Sequence, residues 1–361
     1  MKLFNYVKGS EEFNDIIDEI VSFAAAELAN EKIENKDARL RTLNESIVAY
    51  ATKGTRFEQL FAEKGLEAMK DPRVQKNNDV LENYNAIIEQ SITSILPMVT
   101  NEQYMDIFAE IRQIGWGDTA KFNVTSNELY KVNEVAVGVN RGVLQPIYDN
   151  EFTVLTKKYE IAASIDFYPV AAGVYDWGSF GIRAAKSFGA FIFAKVIKTM
   201  TAATSQISSA YSATGFSNAN WTALVEKVSA ANGGAGVYAI GTLSALNQVI
   251  PSTTGLQYGL GEEVAKIGYL NKYMGCTLIP IDQVLVPGTV NTTATLALPN
   301  NIIYFVAADA YKPVKIVFEG ESLLAERDPD HTPDRTYRIR LQIMMGIDSV
   351  VGSKHGTLTL S

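Results

Sequence analysis

The first hundred residues repeat apolar side chains every three or four positions, with polar side chains between them. This spacing places the apolar side chains on one face of a helix. The clearest faces are Phe13, Ile16, Ile17, Ile20, Ala24 and Leu28, and then Val80, Leu81, Tyr84, Ile87, Ile88, Ile92 and Ile95. The pattern predicts that the N-terminal third of the chain is helical.

Short boundary motifs predict where these helices begin and end. Thr42 with Glu45 has the spacing of a capping box, Gly54 is a helix stop, and Pro97 is expected to end the helix before it. A last helix is predicted after Thr100. Its apolar face consists of Tyr104, Ile107, Phe108 and Ile111.

The pattern changes from helical to alternating at about residue 120. An outgoing strand is predicted from residue 122 to 139, a loop tip around Gly138, Gly142 and Pro146, and a return strand from residue 152 to 165. A two-stranded ribbon of this kind is marginally stable by itself. We therefore expect it to be ordered by docking on other structure.

One long helix and a mixed region follow the hairpin. The helix is predicted from Gly178 to Met200, because its apolar side chains recur on one face over this range. Further strands are predicted at residues 237–240, 277–281, 302–307, 314–318 and 337–347, and further helices at 221–230, 243–250 and 262–273. Separate helical and strand regions of this kind indicate an α+β fold.

Acidic residues outnumber basic residues by 40 to 32, and the excess lies in the first third of the chain. Residues 1–120 hold 21 of the acidic and 13 of the basic residues, so residues 121–361 are balanced. Specific nucleic-acid binding needs clustered lysine and arginine, so we do not expect it in the N-terminal third. No secretory signal opens the chain and no apolar run is long enough to span a bilayer, so no membrane partner is expected.

Residue types that carry chemistry are few. There is no phosphate-binding loop, and the single cysteine, Cys276, is interpreted as a small buried residue. His331 lies among Asp328, Asp330 and Asp334 in a segment that could hold a cation but is more simply a solvated loop. We therefore predict no catalytic residue, no cofactor and no metal site.

The order of these elements resembles the major capsid proteins of tailed bacteriophages, which have the Hong Kong-type capsid fold. The segments that carry the resemblance are the long hairpin, the long helix, the step from Tyr273 to Ile281 and the late strand from Tyr337 to Ile347. The resemblance implies an α+β fold with four parts. These are an N-terminal helical arm (1–116), an extended β-hairpin loop (117–165), a peripheral domain with a spine helix (166–232 and 312–361) and an axial α/β domain (233–311).

The resemblance also implies a structural, non-enzymatic function. Copies of the chain would assemble as pentamers and hexamers into an icosahedral shell around double-stranded DNA, which they would contact without sequence specificity. Portal, scaffolding and decoration proteins are the other partners that it implies. The expected location is the virion, after assembly in the cytoplasm of the host bacterium.

On the hairpin and at its return strand, we predict contacts between subunits. The predicted contact residues are Lys131, Val139, Arg141, Gln145, Tyr148 and Lys157. Two alternatives stay open from the sequence. One is an encapsulin-like shell that houses cargo enzymes, and the other is a cytoplasmic α+β enzyme of unknown reaction.

Overall fold

A computed structural model describes residues 10–29, 31–99, 107, 109–124, 131–132, 134, 150–166, 169, 172–204, 207–249, 264–308, 312–327, 336–349 and 354–360. Helices and strands are both abundant in these ranges, which confirms the α+β class. The two largest sheets have four and six strands, and a separate two-stranded hairpin forms the third sheet.

The N-terminal region is helical, as predicted, up to residue 99. Its helices are α1 (Glu11–Leu28), α2 (Lys36–Thr52), α3 (Glu58–Lys64), α4 (Pro72–Gln75) and α5 (Asn78–Val99), with a 3₁₀ helix at Gly65–Lys70. Ser10 caps α1 by accepting a hydrogen bond from the Phe13 N–H at 3.3 Å. The predicted apolar faces of α1 and α5 are buried.

Two predicted helix boundaries are wrong. The α2 helix begins at Lys36, and Thr42 lies inside it, where its hydroxyl donates to the Ala38 carbonyl oxygen. The α5 helix continues past Pro97 to Val99. In α2 the local signal is overridden, because burying an apolar face that extends to both sides of Thr42 outweighs one capping effect.

The helix predicted after Thr100 is also wrong from residue 109 onward, where the structure describes the chain continuously. Ala109–Ile114 form strand β1, which pairs in parallel with β10 (Val314–Arg327), with Ala109 opposite Val314. The isoleucines of this segment suit a strand or a helix equally well. Only the open edge of β10, about 200 residues later in the chain, decides between them.

The four-stranded sheet has the order β1-β10-β11-β4. Strand β11 (Thr336–Ser349) pairs antiparallel with both β10 and β4 (Lys157–Asp166). Residues 157–165 were predicted as the end of the hairpin's return strand, and this assignment is wrong. They instead form an edge strand of the sheet, because their apolar side chains at alternate positions pack toward the helices.

The long helix lies where it was predicted, as α6 (Trp177–Thr204), which we call the spine helix. At 28 residues it is about 42 Å long. The N-terminal helices share one hydrophobic core with it and with the four-stranded sheet, so they are part of the body of the subunit. At Gly181, a Cβ atom would lie 2.5 Å from the Ile95 side chain, which shows how closely α5 and α6 approach.

Polar contacts also tie the N-terminal helices to the start of the spine helix. Asp176 accepts a hydrogen bond from the Ser179 N–H at 2.9 Å and forms a 2.7 Å ion pair with Lys36 of α2. The buried Asn44 side chain of α2 donates to the Tyr175 carbonyl oxygen at 3.1 Å. The beginning of α6 is therefore held in place by residues that precede it by more than 130 positions.

The six-stranded sheet has the order β5-β12-β9-β6-β8-β7. Its strands are β5 (Ser212–Thr214), β6 (Val237–Thr242), β7 (Lys272–Tyr273), β8 (Cys276–Ile281), β9 (Ile302–Ala307) and β12 (Gly356–Thr359). Strands β5 and β12 fall within the predicted peripheral domain but pair in this sheet. The predicted boundaries at 232 and 312 therefore do not follow the strand pairing.

The two faces of this sheet pack against different partners. On β9, Tyr304 and Val306 join the core of the spine helix, whereas Ile303 and Phe305 join a second core beneath α7 (Asn218–Ala231). Trp221 lies at the centre of that second core and is fully buried. Successive side chains of a strand point to opposite faces of the sheet. This short strand therefore needs apolar residues at consecutive positions to fill both cores.

Two helices predicted in this region are shorter than expected. The helix at 243–250 is reduced to α8 (Leu243–Leu246), and of the helix predicted at 262–273 the described part is helical only at residues 264–267. Lys272 and Tyr273 instead pair with β8 across a tight turn. Gly275 in that turn has a positive φ of 80°, which lets the chain reverse direction between β7 and β8.

Candidate assembly surfaces

The base of the predicted hairpin is a short antiparallel pair, β2 (Ala120–Val124) and β3 (Asn150–Val154). It lies on the face of the four-stranded sheet opposite the helices, where Phe122 packs against Val154 and Val317. Phe122 is only 1% exposed. The hairpin therefore stands on a small apolar anchor that is built partly from the body of the subunit.

Charged side chains surround this anchor. The guanidinium carbon of Arg112 lies 4.1 Å from the centre of the Phe122 ring, and the Lys315 ammonium lies 5.5 Å from it. Arg112 also donates to the Lys121 carbonyl oxygen at 2.9 Å, which ties β1 to β2. Cations over an aromatic face are stabilising, more so when they are partly withdrawn from water.

Glu110 lies between the two cations and offsets part of their charge. It forms ion pairs with Lys315 at 2.5 Å and with Arg112 at 2.9 Å. Burial raises the pKa of Glu110, but the hydrogen bonds and charges of Lys315 and Arg112 outweigh burial, so its pKa is lowered overall. The carboxylate thus stays ionised beside Lys315, a lysine that is only 3% exposed.

A second carboxylate, Glu319 of β10, holds both ends of the hairpin. One of its oxygens accepts a hydrogen bond from the Gly117 N–H at 2.9 Å, and the other accepts from the Thr156 hydroxyl. Gly117 precedes β2 and Thr156 follows β3, so one buried side chain fixes the two points where the hairpin leaves the sheet. We call Glu319, Gly117 and Thr156 the hairpin clamp.

We expect Glu319→Ala to loosen the hairpin without unfolding the subunit. Hydrogen bonds to a charged group contribute about 2 kcal/mol each, and the variant leaves two donors without their acceptor. Hydrogen exchange measured by mass spectrometry should show faster exchange in β2 and β3 and unchanged exchange in α5 and α6. Glu319→Gln keeps an acceptor for Gly117 and serves as the control, with a smaller effect. Equal exchange in the Ala variant and the unmodified chain would contradict the role of the clamp.

Gly346 of β11 allows the chain between β3 and β4 to cross the sheet closely. A Cβ atom at this position would lie 2.5 Å from the Leu155 carbonyl oxygen and 2.7 Å from a Val154 methyl group. Because one of these contacts is with a backbone oxygen, rotation of a side chain cannot relieve it. The backbone would have to move. The glycine is therefore required by packing and not by its own backbone angles.

We expect Gly346→Ala to lower the free energy of unfolding by about 1 to 3 kcal/mol, the usual cost of overpacking. Urea unfolding of the full chain measures this loss. The matched control is Gly236→Ala, since a Cβ atom there meets nothing within 4 Å. A Gly346→Ala variant as stable as the control would show that the crossing has more room than the structure indicates.

Several large apolar side chains around the hairpin are exposed in the single subunit. Trp116 and Leu155, beside the two ends of the hairpin, are 51% and 74% exposed, and Val132 on the hairpin itself is 94% exposed. Exposed apolar side chains gathered in one region typically mark a protein–protein contact. The surface around the hairpin is therefore the strongest candidate for contact with other subunits.

The predicted contact residues can be placed only in part. Lys131 is exposed, and so is Lys157, but Lys157 lies on the sheet edge strand β4 and not on the two-stranded ribbon. Val139, Arg141, Gln145 and Tyr148 lie outside the described residues. The clamp residue Glu319 was missed, because its partners are 202 and 163 positions away in sequence and no local motif signals them.

The candidate chemical residues do not form a reactive site where they are described. Cys276 is fully buried, its thiol donates to the Val237 carbonyl oxygen, and burial raises its pKa to about 12, so it is not a nucleophile at neutral pH. His355 is also buried, with one ring nitrogen 3.1 Å from the Thr204 hydroxyl. The cluster around His331 lies outside the described residues, and no metal-ligand group occurs among the residues that are described.

A groove of about 1190 Å³ runs beside the C-terminal half of the spine helix. The lining side chains include Phe191, Lys195, Lys198, Leu296, Leu298 and Ile347. Lys195 reaches out of the helix to donate to the Tyr159 hydroxyl of β4. Within the described ranges, no helix is long and apolar enough to cross a membrane.

Comparison with known proteins agrees with a subunit built for assembly. A sequence model of the family described as "SPbeta prophage-derived putative capsid protein YonB" matches residues 5–359. This match spans nearly the whole chain and defines the class, a structural protein that forms a shell with copies of itself. The chain belongs to this family of prophage capsid proteins, which confirms the predicted class of protein and implies a location in the virion.

The comparisons also find distant similarity to solved particle structures. The chain is similar to the capsid of Cyanophage P-SCSP1u, with 14% identity, a TM-score of 0.46, and coverage of 71% of this chain and 88% of that one. A virus-like particle from Pyrococcus furiosus gives 12% identity, a TM-score of 0.43, and coverage of 76% and 99%. No curated protein sequence matches the chain.

Proposed function

We propose that this chain is a major capsid protein whose copies close into an icosahedral shell around double-stranded DNA, and that its role is wholly structural. The observation that carries the proposal is the hairpin, which is clamped at its base and displays exposed apolar side chains. Family membership supports the same function. Copies assemble in the host cytoplasm as pentamers and hexamers.

The hairpin of each subunit lies over a neighbouring subunit in this proposal. Repeated contacts of one surface with a different surface on the next copy close into rings when the rotation allows it. Each contact is modest, but every subunit is held by several neighbours at once, so release requires many contacts to break together. Val132 and Trp116 are the described side chains that we expect such contacts to cover.

A hairpin that is clamped at its base is compatible with a shell whose subunits meet at more than one angle. Pentamers and hexamers need the same subunit to meet its neighbours at different angles. A hairpin fixed at its base by Glu319 transmits the position of the sheet to the contact with the next subunit. Portal, scaffolding and decoration proteins are further partners in this proposal.

Electron microscopy of particles from virus-producing cells tests the proposal, together with nuclease digestion of their contents. We expect closed shells of one main subunit that protect double-stranded DNA. Shells that contain a co-purifying enzyme and no nucleic acid would instead favour a cargo compartment. A chain that stays monomeric under all conditions would overturn the proposal.

A further inference from the structure

The spine helix carries only positive charges. Its 28 residues contain Arg183, Lys186, Lys195 and Lys198, and no aspartate or glutamate. This is unusual in a chain with a net charge of −8. The α1 helix is the opposite case, with six carboxylates and no basic residue in 18 positions.

These cations lie on the solvent side of the spine helix. Arg183, Lys186 and Lys198 are exposed, and Lys195 is half-buried beside Tyr159. We call these four residues the basic stripe. From Arg183 to Lys198 the stripe extends for about 22 Å along the helix, at 1.5 Å for each residue.

The basic stripe lacks the ion pairs that several exposed cations form elsewhere in the subunit. Arg39, Lys53 and Arg73 each form an ion pair with an acidic neighbour. Among the residues that the structure describes, no carboxylate lies within ion-pair distance of Arg183, Lys186 or Lys198. The stripe is therefore available to an anion from outside the subunit.

Charge repulsion at one end of the stripe also favours the binding of an anion. Burial lowers the pKa of Lys195, and the positive charge of Lys157 on β4 lowers it further. Two like charges held close together cost free energy that a bound anion would relieve. The groove leaves open space in front of Lys195 and Lys198. Its lining includes one carboxylate, Asp348, which forms no ion pair with either lysine, so the two cations stay in excess there.

Two polyanions suit such a surface, namely the acidic helix α1 of a second copy and a nucleic-acid duplex. Several carboxylates of α1 are already engaged within their own subunit, by Lys53, Arg39 and Ser179. The acids left over, from Glu11 to Asp18, cover about 10 Å of helix. A DNA duplex presents a negative charge about every 1.7 Å and so matches the whole stripe.

We propose that the basic stripe is the surface through which the subunit contacts the phosphates of packaged DNA. The inference rests on the proposed function and deepens it, since it assigns a DNA-facing surface to a chain whose acidic N-terminal third is unsuited to this contact. Contacts to phosphates carry no base information, so binding is independent of sequence. The stripe faces the interior of the shell.

The test compares two triple variants with the same loss of charge. In the stripe variant, Arg183, Lys186 and Lys198 become Gln. In the control variant, the exposed Lys32, Lys64 and Lys76 become Gln. Lys195 is left unchanged because it also holds β4.

Binding of the unassembled full chain to a short fluorescent duplex is measured by anisotropy at several salt concentrations. Each lost phosphate contact should reduce the slope of log affinity against log salt by about 0.9. We therefore expect the stripe variant to show a slope shallower by about 2 to 3, and the control to keep the original slope. Equal losses in both variants, or no loss in either, would overturn the proposal.

Assembled shells provide a second measurement, which separates this inference from the proposed function. At equal shell yield, judged by electron microscopy, the stripe variant should retain less nuclease-protected nucleic acid per subunit than the control. A stripe variant that binds DNA normally but no longer forms shells would show that the stripe contacts another copy of the chain. Absence of shells from the unmodified chain would count against the proposed function and leave the anisotropy result to decide the stripe.

Discussion

Replacing residues 125–149 with Asn-Gly is expected to abolish shell formation while leaving the subunit folded. Val124 and Asn150 are directly opposite each other in the β2–β3 pair, so a two-residue turn of this sequence closes the hairpin. The described residues within the replaced segment, Lys131, Val132 and Glu134, are exposed and add nothing to the core. The Phe122 anchor and the Glu319 clamp remain in place.

The physical reason for a complete loss is cooperativity among neighbours. Every copy loses its outer hairpin at once, so each weakened contact is repeated around every ring of the shell. Electron microscopy and size-exclusion chromatography measure the loss of shells. Urea unfolding checks the subunit, whose free energy of unfolding should change by no more than about 1 kcal/mol, as for other surface changes. Closed shells formed by the shortened chain would contradict the assembly role of the hairpin.

Trp221→Ala is expected to lower the free energy of unfolding by about 3 to 5 kcal/mol, the usual cost of removing a buried aromatic side chain. Trp221 is fully buried on α7 and meets Phe305 and Tyr273 edge-on, with ring centres 4.9 and 5.3 Å away. The six-stranded sheet should lose its packing against α7 first.

Urea unfolding followed by near-ultraviolet circular dichroism measures this effect. Trp221→Phe keeps an aromatic ring and should lose less stability than the Ala variant. Trp116→Ala is the matched control, because that tryptophan is 51% exposed and loses much less buried area than Trp221. Equal losses in Trp221→Ala and Trp116→Ala would show that the second core does not depend on Trp221.

The long amphipathic elements could be predicted from the sequence, because their apolar spacing carries the information locally. The faces of α1 and α5 are buried as expected, and the spine helix, Trp177–Thr204, contains the whole range predicted from its apolar spacing. The strand at Ile302–Ala307 was predicted from a run of β-branched and aromatic residues. In each of these cases the side chains within one element are enough to specify its type.

The hairpin was predicted only in part. Its base and its position in the chain are as expected, but its return strand divides into β3, which pairs with β2, and β4, which joins the four-stranded sheet. Alternation of apolar residues is the same in both strands and cannot reveal their partners. Pairing depends on which edge is open in the folded subunit.

The sequence by itself determined the helical N-terminal third, the spine helix, the alternating hairpin and the poverty of reactive side chains, since each of these is a property of neighbouring residues. Only the tertiary structure decided that Ala109–Ile114 is a strand and that Glu319 clamps the hairpin. It also decided that Lys195 of the spine helix lies half-buried beside Tyr159 of β4. These features join residues that lie far apart in the chain, and their free energy exists only once the layers have packed together.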